Sequence, residues 1–253
     1  MTVKVISDLH SATGALKEQV DPSDTLLLLG DLVNLIDYSA TEGILVDVYG
    51  RETVLGIIEL RAQRRFEEAR NRMAERRQGR EEEMKKRFTQ AMTLAYEEVF
   101  SALPGKTYLI MGNVDSPDLV KALAPAHIGF PDGQVVEING YKVGFVGGGL
   151  PTPLKVQGEI PEEEFNQKID QLGPVDVVCT HMPPAVPELT FDILANRAEQ
   201  GSSRLLEYIR DVQPAKALFG HIHQPLVSST HIGRTHVVNC GYFRRTHRAI
   251  SLM

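Results

Sequence analysis

The sequence predicts an α/β fold in which buried strands alternate with helices. Short apolar runs of strand length recur along the chain, and segments with helical periodicity lie between several of them. Most of these runs stop at a Gly-Asp, Gly-Asn, Gly-His or similar polar pair. Because α/β proteins carry their active residues on loops at the carboxyl ends of strands, we expect the functional residues at these stops.

Length and composition narrow the class of protein. The chain has 253 residues, of which 42% are hydrophobic and 24% charged, which is typical of soluble globular proteins and excludes disordered or fibrous chains. α/β folds of this length commonly form one domain, so we predict a single domain over residues 1–253. No apolar run is long enough for a membrane span and no secretory signal pattern opens the sequence, so we expect no membrane partner.

Cysteine content and charge indicate the compartment and the partners. The two cysteines, Cys179 and Cys240, each lie in a strand-like run, which favours buried free thiols in a reducing compartment and therefore the cytoplasm. The net charge of -6 argues against attraction of nucleic acid to the whole surface.

The elements follow in a regular order. The predicted strands are 3–7, 25–29, 107–111, 143–147, 175–180 and 217–219. Helices are predicted over 117–123, where Ser116 can cap a helix that starts with proline, and over 203–212, where four aliphatic side chains share one face. From 225 to 252, short runs broken by glycines predict antiparallel hairpins.

The segment 53–103 departs from this order and reads as a helical insertion. It shows no strand pattern and has Gly79 as its one expected break, so we predict a helical hairpin or a long bent helix. Between residues 59 and 88, 11 Arg or Lys face 7 Glu. Such mixed charge favours an exposed arm whose halves pack on each other, while a nucleic-acid-binding arm and a homodimer contact remain alternatives.

Residues of metal-ligating type follow the strand-like runs. They are Asp8, His10, Asp31, Asn113, His181, His221 and His223, with Asp115 close behind Asn113. Imidazoles, carboxylates and an amide oxygen suit Mn²⁺ first, with Fe or Zn²⁺ as alternatives, whereas Mg²⁺ and Ca²⁺ prefer oxygen ligands almost alone. Seven ligands exceed the needs of one ion and predict two ions. Each pattern alone also fits a capping aspartate or a buried histidine, but their joint occurrence, in order behind strands, favours a metal centre.

These motifs resemble those of the calcineurin-like metallophosphoesterase superfamily. The matching stretches are Asp8-Leu-His10, Gly30-Asp31-Leu-Val-Asn34, Gly112-Asn113-Val-Asp115, Thr180-His181 and Gly220-His221-Ile-His223. The His181-Met-Pro-Pro stretch, Gly201-Ser202 and the glycine run at 147–149 are similar to a bacterial and archaeal branch often labelled cyclic-nucleotide-phosphodiesterase-like. The insertion 53–103 lies outside the resemblance.

The resemblance implies a four-layer α/β/β/α sandwich of two mixed sheets with a dinuclear centre at one edge. The implied ligands of the first ion are Asp8, His10, Asp31 and His223, and those of the second are Asp31, Asn113, His181 and His221. Asp31 would bridge the ions, and a metal-bridging hydroxide, held near Asp31, Asn113 and His181, would attack phosphorus in line.

Two positions depart from the family pattern. Val114 stands where the family commonly has a histidine that protonates the leaving group, and Asn34 stands where a carboxylate orients that histidine. Asn34 and Asp115 are therefore expected behind the ligands or at the substrate. Without the acid we expect faster cleavage of activated aryl phosphodiesters than of alkyl ones, unless His231 or His236 supplies the proton.

The sequence therefore predicts a metal-dependent phosphoesterase, and a phosphodiesterase in particular, that acts on a small-molecule or nucleotide phosphoester. A nuclease that uses the basic helical arm is an alternative. A protein-binding scaffold on the same fold is another, although a scaffold has no physical need for clustered metal ligands.

Overall fold

The computed structural model describes residues 2–252, in which thirteen strands and ten helices occur. The strands are β1 (Val3–Ile6), β2 (Thr25–Leu29), β3 (Lys106–Ile110), β4 (Ile128–Gly129), β5 (Gln134–Ile138), β6 (Tyr141–Val146), β7 (Val177–Thr180), β8 (Phe191–Asp192), β9 (Arg197–Ala198), β10 (Lys216–Phe219), β11 (Ser229–Ile232), β12 (Thr235–Asn239) and β13 (Ile250–Ser251). The helices are α1 (Thr13–Gln19), α2 (Ile44–Tyr49), α3 (Arg51–Ala62), α4 (Phe66–Arg77), α5 (Glu81–Ala102), α6 (Pro117–Leu123), α7 (Glu162–Gln171), α8 (Pro187–Thr190), α9 (Ser203–Val212) and α10 (Phe243–Thr246). The predicted strands agree with these bounds within two residues.

Two large mixed sheets form the centre of the fold. The first has the order β13-β1-β2-β3-β4, with β13 antiparallel to β1 and the other neighbours parallel. The second has the order β11-β12-β10-β7-β6-β5, with antiparallel pairs at both edges and parallel pairs between. A third, two-stranded sheet joins β8 and β9. The parallel strands place their carboxyl ends at one edge of each large sheet.

Alternation of side chains along the strands separates three hydrophobic clusters. In β2, Leu27 and Leu29 face the space between the two sheets, while Leu26 and Leu28 pack against the helices outside the first sheet. In the second sheet, Phe145 lies between the sheets, and the neighbouring positions pack against α7 and α9. Helices therefore cover the outer face of each sheet, and the predicted α/β/β/α sandwich is confirmed.

The helical segment 53–103 is more closely tied to the fold than a free arm. It contains α4 and α5 and most of α3, so the chain breaks twice, at 63–65 and at 78–80, where one break was expected. α4 packs mainly against α3, whereas α5 packs against the core of the first sheet through Tyr96, Val99 and Phe100. The expectation of two halves that pack chiefly on each other was wrong, because the apolar face of α5 is buried against the first sheet.

The C-terminal region differs in part from the predicted hairpins. β11 and β12 form the expected antiparallel hairpin. Residues Phe243–Thr246 form the short helix α10, and β13 pairs with β1 at the edge of the first sheet. Both cysteines are free and buried, as expected. In the described part of the chain, every helix is too short or too polar to cross a bilayer.

Candidate metal centre

The seven candidate ligands lie in five loops, each of which follows the carboxyl end of a strand. Three loops follow β1, β2 and β3 of the first sheet, and two follow β7 and β10 of the second. The residues, in chain order, are Asp8, His10, Asp31, Asn113, His181, His221 and His223. The centre therefore sits where the two sheets meet, and both contribute to it.

One set of side chains, which we call the His10 group, consists of Asp8, His10, Asp31 and His223. One ligand atom of each residue lies within 4.8 Å of the others. Nε2 of His223 is 3.3 Å from Oδ1 of Asp8 and 3.2 Å from Nε2 of His10. Oδ2 of Asp31 is 3.7 Å from Nε2 of His10. Two carboxylates and two imidazoles thus face one small volume.

A second set, which we call the Asn113 group, consists of Asp31, Asn113, His181 and His221. Oδ1 of Asn113 lies 2.9 Å from Nε2 of His181 and 2.9 Å from Nδ1 of His221. Oδ1 of Asp31 lies 3.7 Å from Nε2 of His181. Asp31 therefore belongs to both groups and directs one carboxylate oxygen towards each.

The backbone adopts a rarely populated conformation at four of the seven positions. The φ angle is 54° at Asp8, 41° at His10, 54° at Asp31 and 70° at His221. The loops after β1 and β2 hold each other in this form. The backbone N–H of Asp8 donates to the carbonyl of Gly30 at 3.1 Å, and that of His10 donates to the carbonyl of Asp31 at 3.0 Å. Hydrogen bonds between the loops therefore offset this local strain.

Gly30 allows three of the loops to approach one another. Its φ is 90°, and a Cβ atom at this position would lie 2.8 Å from Nδ1 of His181 and would also overlap the backbone of Gly112. Glycine is thus required at this position both by its backbone conformation and by the lack of space.

A family model described as calcineurin-like phosphoesterase matches residues 1–225. The chain belongs to this family. Two solved structures are similar to it. One is a crystal structure with 17% sequence identity and a TM-score of 0.53, which covers 99% of this chain and 97% of its own. The other is a protein of unknown function from Aquifex aeolicus with 14% sequence identity and a TM-score of 0.42. The match covers 99% of this chain and 95% of the Aquifex chain. No curated protein matches the sequence.

In this calcineurin-like phosphoesterase, backbone carbonyls orient two of the imidazoles. Nδ1 of His10 lies 3.2 Å from the carbonyl oxygen of Val33, and Nδ1 of His181 lies 2.8 Å from that of Leu29. Each Nδ1 can therefore carry the proton and donate to the carbonyl, which leaves the lone pair of Nε2 directed into the centre. This arrangement is typical of histidines that bind metals.

Burial controls the charge of the side chains in the centre. It lowers the pKa of His10 to about 3 and that of His221 to about 3, so both imidazoles are neutral near pH 7. Burial also raises the pKa of Asp31. For Asp8, burial alone would raise the pKa, but contact with His223 and nearby imidazoles holds it below its ordinary range. His10 and His221 thus supply neutral nitrogens and Asp8 supplies an ionised carboxylate, which are the forms that bind metal ions.

The residues fit a metal ion. Oδ1 of Asp8 is buried, and among residues 2–252 it has no hydrogen-bond partner of good geometry. A buried carboxylate oxygen in this state is costly unless a cation faces it. Carboxylate oxygens and imidazole nitrogens are common ligands of divalent metals. Together with family membership, this cluster supports a metal-dependent phosphoesterase.

Asp115 does not point into either group and instead fixes two of the loops. Its Oδ2 accepts hydrogen bonds from the backbone N–H groups of Asp31 at 2.9 Å and Gly112 at 2.8 Å. Its Oδ1 accepts from the backbone N–H of Leu32 at 2.9 Å. Burial and the nearby charge of Asp31 raise the pKa of Asp115 to about 7. The side chain therefore joins the loop after β2 to the loop after β3.

Asn34 and Val114 lie next to the centre. Asn34 is buried, its backbone N–H donates to Oγ of Ser11 at 3.0 Å, and its side-chain Oδ1 has no partner within residues 2–252. The backbone N–H of Val114 donates to Oδ1 of Asp31 at 3.0 Å. Val114 therefore orients the shared carboxylate through its backbone, whereas its side chain can supply no proton.

His231 and His236 lie too far along the hairpin to serve the centre. They face each other across β11 and β12, with ring centroids 4.8 Å apart. His236 is aligned with Lys216, at the start of β10, whereas the ligand loop follows the other end of that strand. The idea that one of these histidines supplies the proton was wrong for this geometric reason.

Tyr242 is a functional candidate that the sequence did not indicate. It follows β12 and lies against the rings of His10 and His223. A single tyrosine in a loop carries no periodic pattern, so only the alignment of β12 beside β10 reveals the contact.

Proposed function

We propose that this protein is a metal-dependent phosphodiesterase with a dinuclear centre, in which the His10 group binds one ion and the Asn113 group binds the other. The position of Asp31 carries the proposal. One of its carboxylate oxygens lies 3.7 Å from Nε2 of His10, and the other lies 3.7 Å from Nε2 of His181. A carboxylate shared between two ligand groups is suited to bridging two ions.

The ligand set favours Mn²⁺, with Fe or Zn²⁺ as alternatives. Four imidazoles, two carboxylates and one amide form a mixed nitrogen and oxygen set, which these metals accept more readily than Mg²⁺ or Ca²⁺ does. Such ions, when bound, would activate a water molecule for in-line attack on phosphorus and neutralise the phosphoryl oxygens.

The chain's own residues hold the reacting groups in place. Burial keeps His10 and His221 neutral, and carbonyl oxygens fix the rings of His10 and His181. The backbone N–H of Val114 and the carboxylate of Asp115 fix Asp31 through its side chain and its backbone respectively. We assign Asp31, Asn113 and His181 to the position of the attacking water because Asp31 belongs to both groups and the other two lie beside it. Nε2 of His181 is 3.7 Å from Oδ1 of Asp31 and 2.9 Å from Oδ1 of Asn113.

Charge near the centre supports a diester substrate. Arg244 donates from Nη1 to the carbonyl of His10 at 3.0 Å, but Asp37 and Glu42 offset its charge at 3.7 and 3.3 Å. A monoester dianion needs more cationic groups than a diester, which carries one negative charge. The valine at position 114 also provides no acid for a poor leaving group.

The helical segment favours a small-molecule or nucleotide substrate over long nucleic acid. Arg65 and Arg80 form ion pairs with Glu68 and Glu83 at 2.5 and 2.8 Å, so part of its positive charge is neutralised locally. A nuclease would instead be supported by salt-dependent binding of nucleic acid that is lost when four arginines are neutralised together, namely Arg72, Arg76, Arg77 and Arg80. The buried free thiols support a cytoplasmic location.

The test uses metal-stripped protein refilled with Mn²⁺ and assayed on a bis-aryl phosphate and on the matching aryl monophosphate. We expect two bound ions, activity that requires metal, preference for the diester, and no activity in Asp31→Asn. His10→Ala and His181→Ala should each retain one ion, measured by elemental analysis. A wild-type protein that binds no metal would contradict the proposal and favour a scaffold, and preference for the monoester would contradict the diester specificity.

A further inference from the structure

Tyr242 lies against both imidazoles of the His10 group. Its ring stacks on that of His223 with centroids 3.9 Å apart and planes 5° apart, and it meets the ring of His10 edge-on at 5.3 Å. Tyr242 is only 6% exposed, whereas the side chain of His223 is 30% exposed. The imidazole of His223 therefore covers one face of the Tyr242 ring, and the tyrosine offers little surface to a substrate.

Within residues 2–252, His223 has no contact with a backbone carbonyl like the contacts that orient His10 and His181, whose Nε2 atoms also face the centre. Nδ1 of His10 and Nδ1 of His181 each lie within hydrogen-bond distance of a backbone carbonyl. For His223, the hydrogen bonds formed within residues 2–252 involve only Nε2, which faces Asp8 and His10. Besides these contacts of Nε2, stacking on Tyr242 restricts rotation of this imidazole.

The hydroxyl of Tyr242 is itself held in place. It donates to Oδ2 of Asp37 at 3.3 Å, and the same oxygen lies 3.7 Å from Nε of Arg244. Burial alone would raise the pKa of Asp37, but hydrogen bonds from Ser39, Ala40 and Tyr242 lower it to about 2, so the acceptor is ionised. Arg244 also donates to the carbonyl of His10. A continuous series of contacts therefore runs from Tyr242 through Asp37 and Arg244 back to His10.

The backbone near Tyr242 is tied to two of the three ligand loops of this group, those after β1 and β10. The backbone N–H of Arg244 donates to the carbonyl of Asp8 at 3.3 Å. At the end of β12, Nδ2 of Asn239 donates to the carbonyl of Ile222, between the two histidines of the loop after β10, at 2.9 Å. The position of the tyrosine is therefore fixed relative to the ligands on both sides.

We propose that Tyr242 is a positioning residue that holds the imidazole of His223 in the orientation needed to bind a metal ion. The inference rests on the proposed function, because it assigns a role in metal binding to the His10 group. Residues that orient metal ligands from outside typically contribute 10- to 100-fold to metal affinity or activity. Tyr242 makes this contribution through the face of its ring, and Asp37 supports it through the hydroxyl.

The experiment compares Tyr242→Leu, which removes the stacked ring, with Tyr242→Phe, which keeps it. Mn²⁺ binding is measured by calorimetry, and the ring-current shift of the His223 imidazole protons is measured by NMR in the metal-free protein. Tyr242→Leu should weaken one of the two ions by about 10- to 100-fold and abolish the shift, and Tyr242→Phe should preserve most of both. Tyr208→Phe is the matched control, because it removes a buried hydroxyl that donates to the carbonyl of Gly173.

The outcomes separate this inference from the proposed function. If the wild-type protein binds no metal, the proposed function fails. If the wild-type protein binds two ions and Tyr242→Leu binds both with wild-type affinity, the inference is wrong and the proposed function stands. If Tyr242→Leu does not fold, Tyr242→Met decides, since it also removes the aromatic ring but keeps a flexible apolar side chain at this buried position. Wild-type affinity for both ions in Tyr242→Met overturns the inference.

Discussion

Gly149 packs so closely on Asn113 that a Cβ atom added to the glycine would overlap the side chain of the asparagine. The contact lies at the back of the Asn113 group, on a candidate ligand rather than on a distant part of the core. Space at Gly149 therefore determines where the amide oxygen of Asn113 can be placed.

Gly149→Ala should lower both stability and metal affinity. We expect a loss of about 1–3 kcal/mol in the free energy of unfolding, because the added methyl group overpacks a buried contact. The ion in the Asn113 group should be weakened more than the ion in the His10 group. Gly14→Ala is the control, because Gly14 is exposed in α1 with no atom within 4 Å of the added Cβ, and it should gain up to about 1 kcal/mol. Denaturant unfolding and Mn²⁺ titration provide the measurements, and wild-type values for Gly149→Ala would contradict the expectation.

Asp115→Asn should disconnect the loops after β2 and β3. An amide in place of the carboxylate turns one acceptor into a donor that faces backbone N–H groups, so at least one charge-assisted hydrogen bond is lost. We expect a loss of about 1.5–3 kcal/mol in the free energy of unfolding, measured in denaturant above pH 7, where the carboxyl with its pKa of about 7 is ionised, and weaker binding of both ions. Asp118→Asn, at an exposed position of α6, should behave like the wild-type protein. Normal stability in Asp115→Asn would show that the loops are held by other contacts.

Leaving-group preference should follow from the residue at position 114. The wild-type protein should cleave an aryl phosphodiester faster than an alkyl one by at least about 10²-fold, because it lacks a positioned acid. The double variant Val114→His with Asn34→Asp should narrow this ratio by raising the rate on the alkyl ester. Steady-state kcat/KM values for both esters test the prediction. Equal rates in the wild-type protein would mean that another group or water supplies the proton.

Arg70→Ala should loosen the segment 150–158 beside the centre. Nη1 of Arg70, in α4, donates to the carbonyl of Pro153 at 3.1 Å, and the other end of this segment is held by the N–H of Gly158, which donates to the carbonyl of Asn113 at 2.9 Å. Loss of one exposed hydrogen bond, about 0.5–1 kcal/mol, should increase trypsin cleavage after the exposed Lys155 two- to fivefold. Arg76→Ala, in the same helix, should leave the cleavage rate unchanged. Equal cleavage rates in the two variants would show that the hydrogen bond from Arg70 does not hold this segment.

The strands and the candidate ligands could be predicted because their signals are local. A fully buried strand such as β2 needs a continuous apolar run, and a ligand at its end follows directly in the sequence. The resemblance of the five motifs then indicated both groups that the structure brings together. The long separations along the chain did not matter, since each motif is complete within a few residues.

Other features depend on packing between distant segments. The break between α3 and α4 contains neither glycine nor proline; Arg64 takes a φ of 59° there, and α4 folds back until the guanidinium of Arg72 lies over Gly56. Asp115 was expected either behind the ligands or at the substrate, and only the fold shows that backbone N–H groups surround its carboxylate.

The His10 group is assembled from segments far apart in the sequence, since His10 and His223 are 213 residues apart. A nascent chain cannot offer this set of ligands until the residues through His223 have been synthesised and both sheets have docked. An ion that binds only the folded state stabilises it by mass action and leaves partly folded chains unaffected. Metal supply would then influence not only the rate of the reaction but also the fraction of newly made chains that persist.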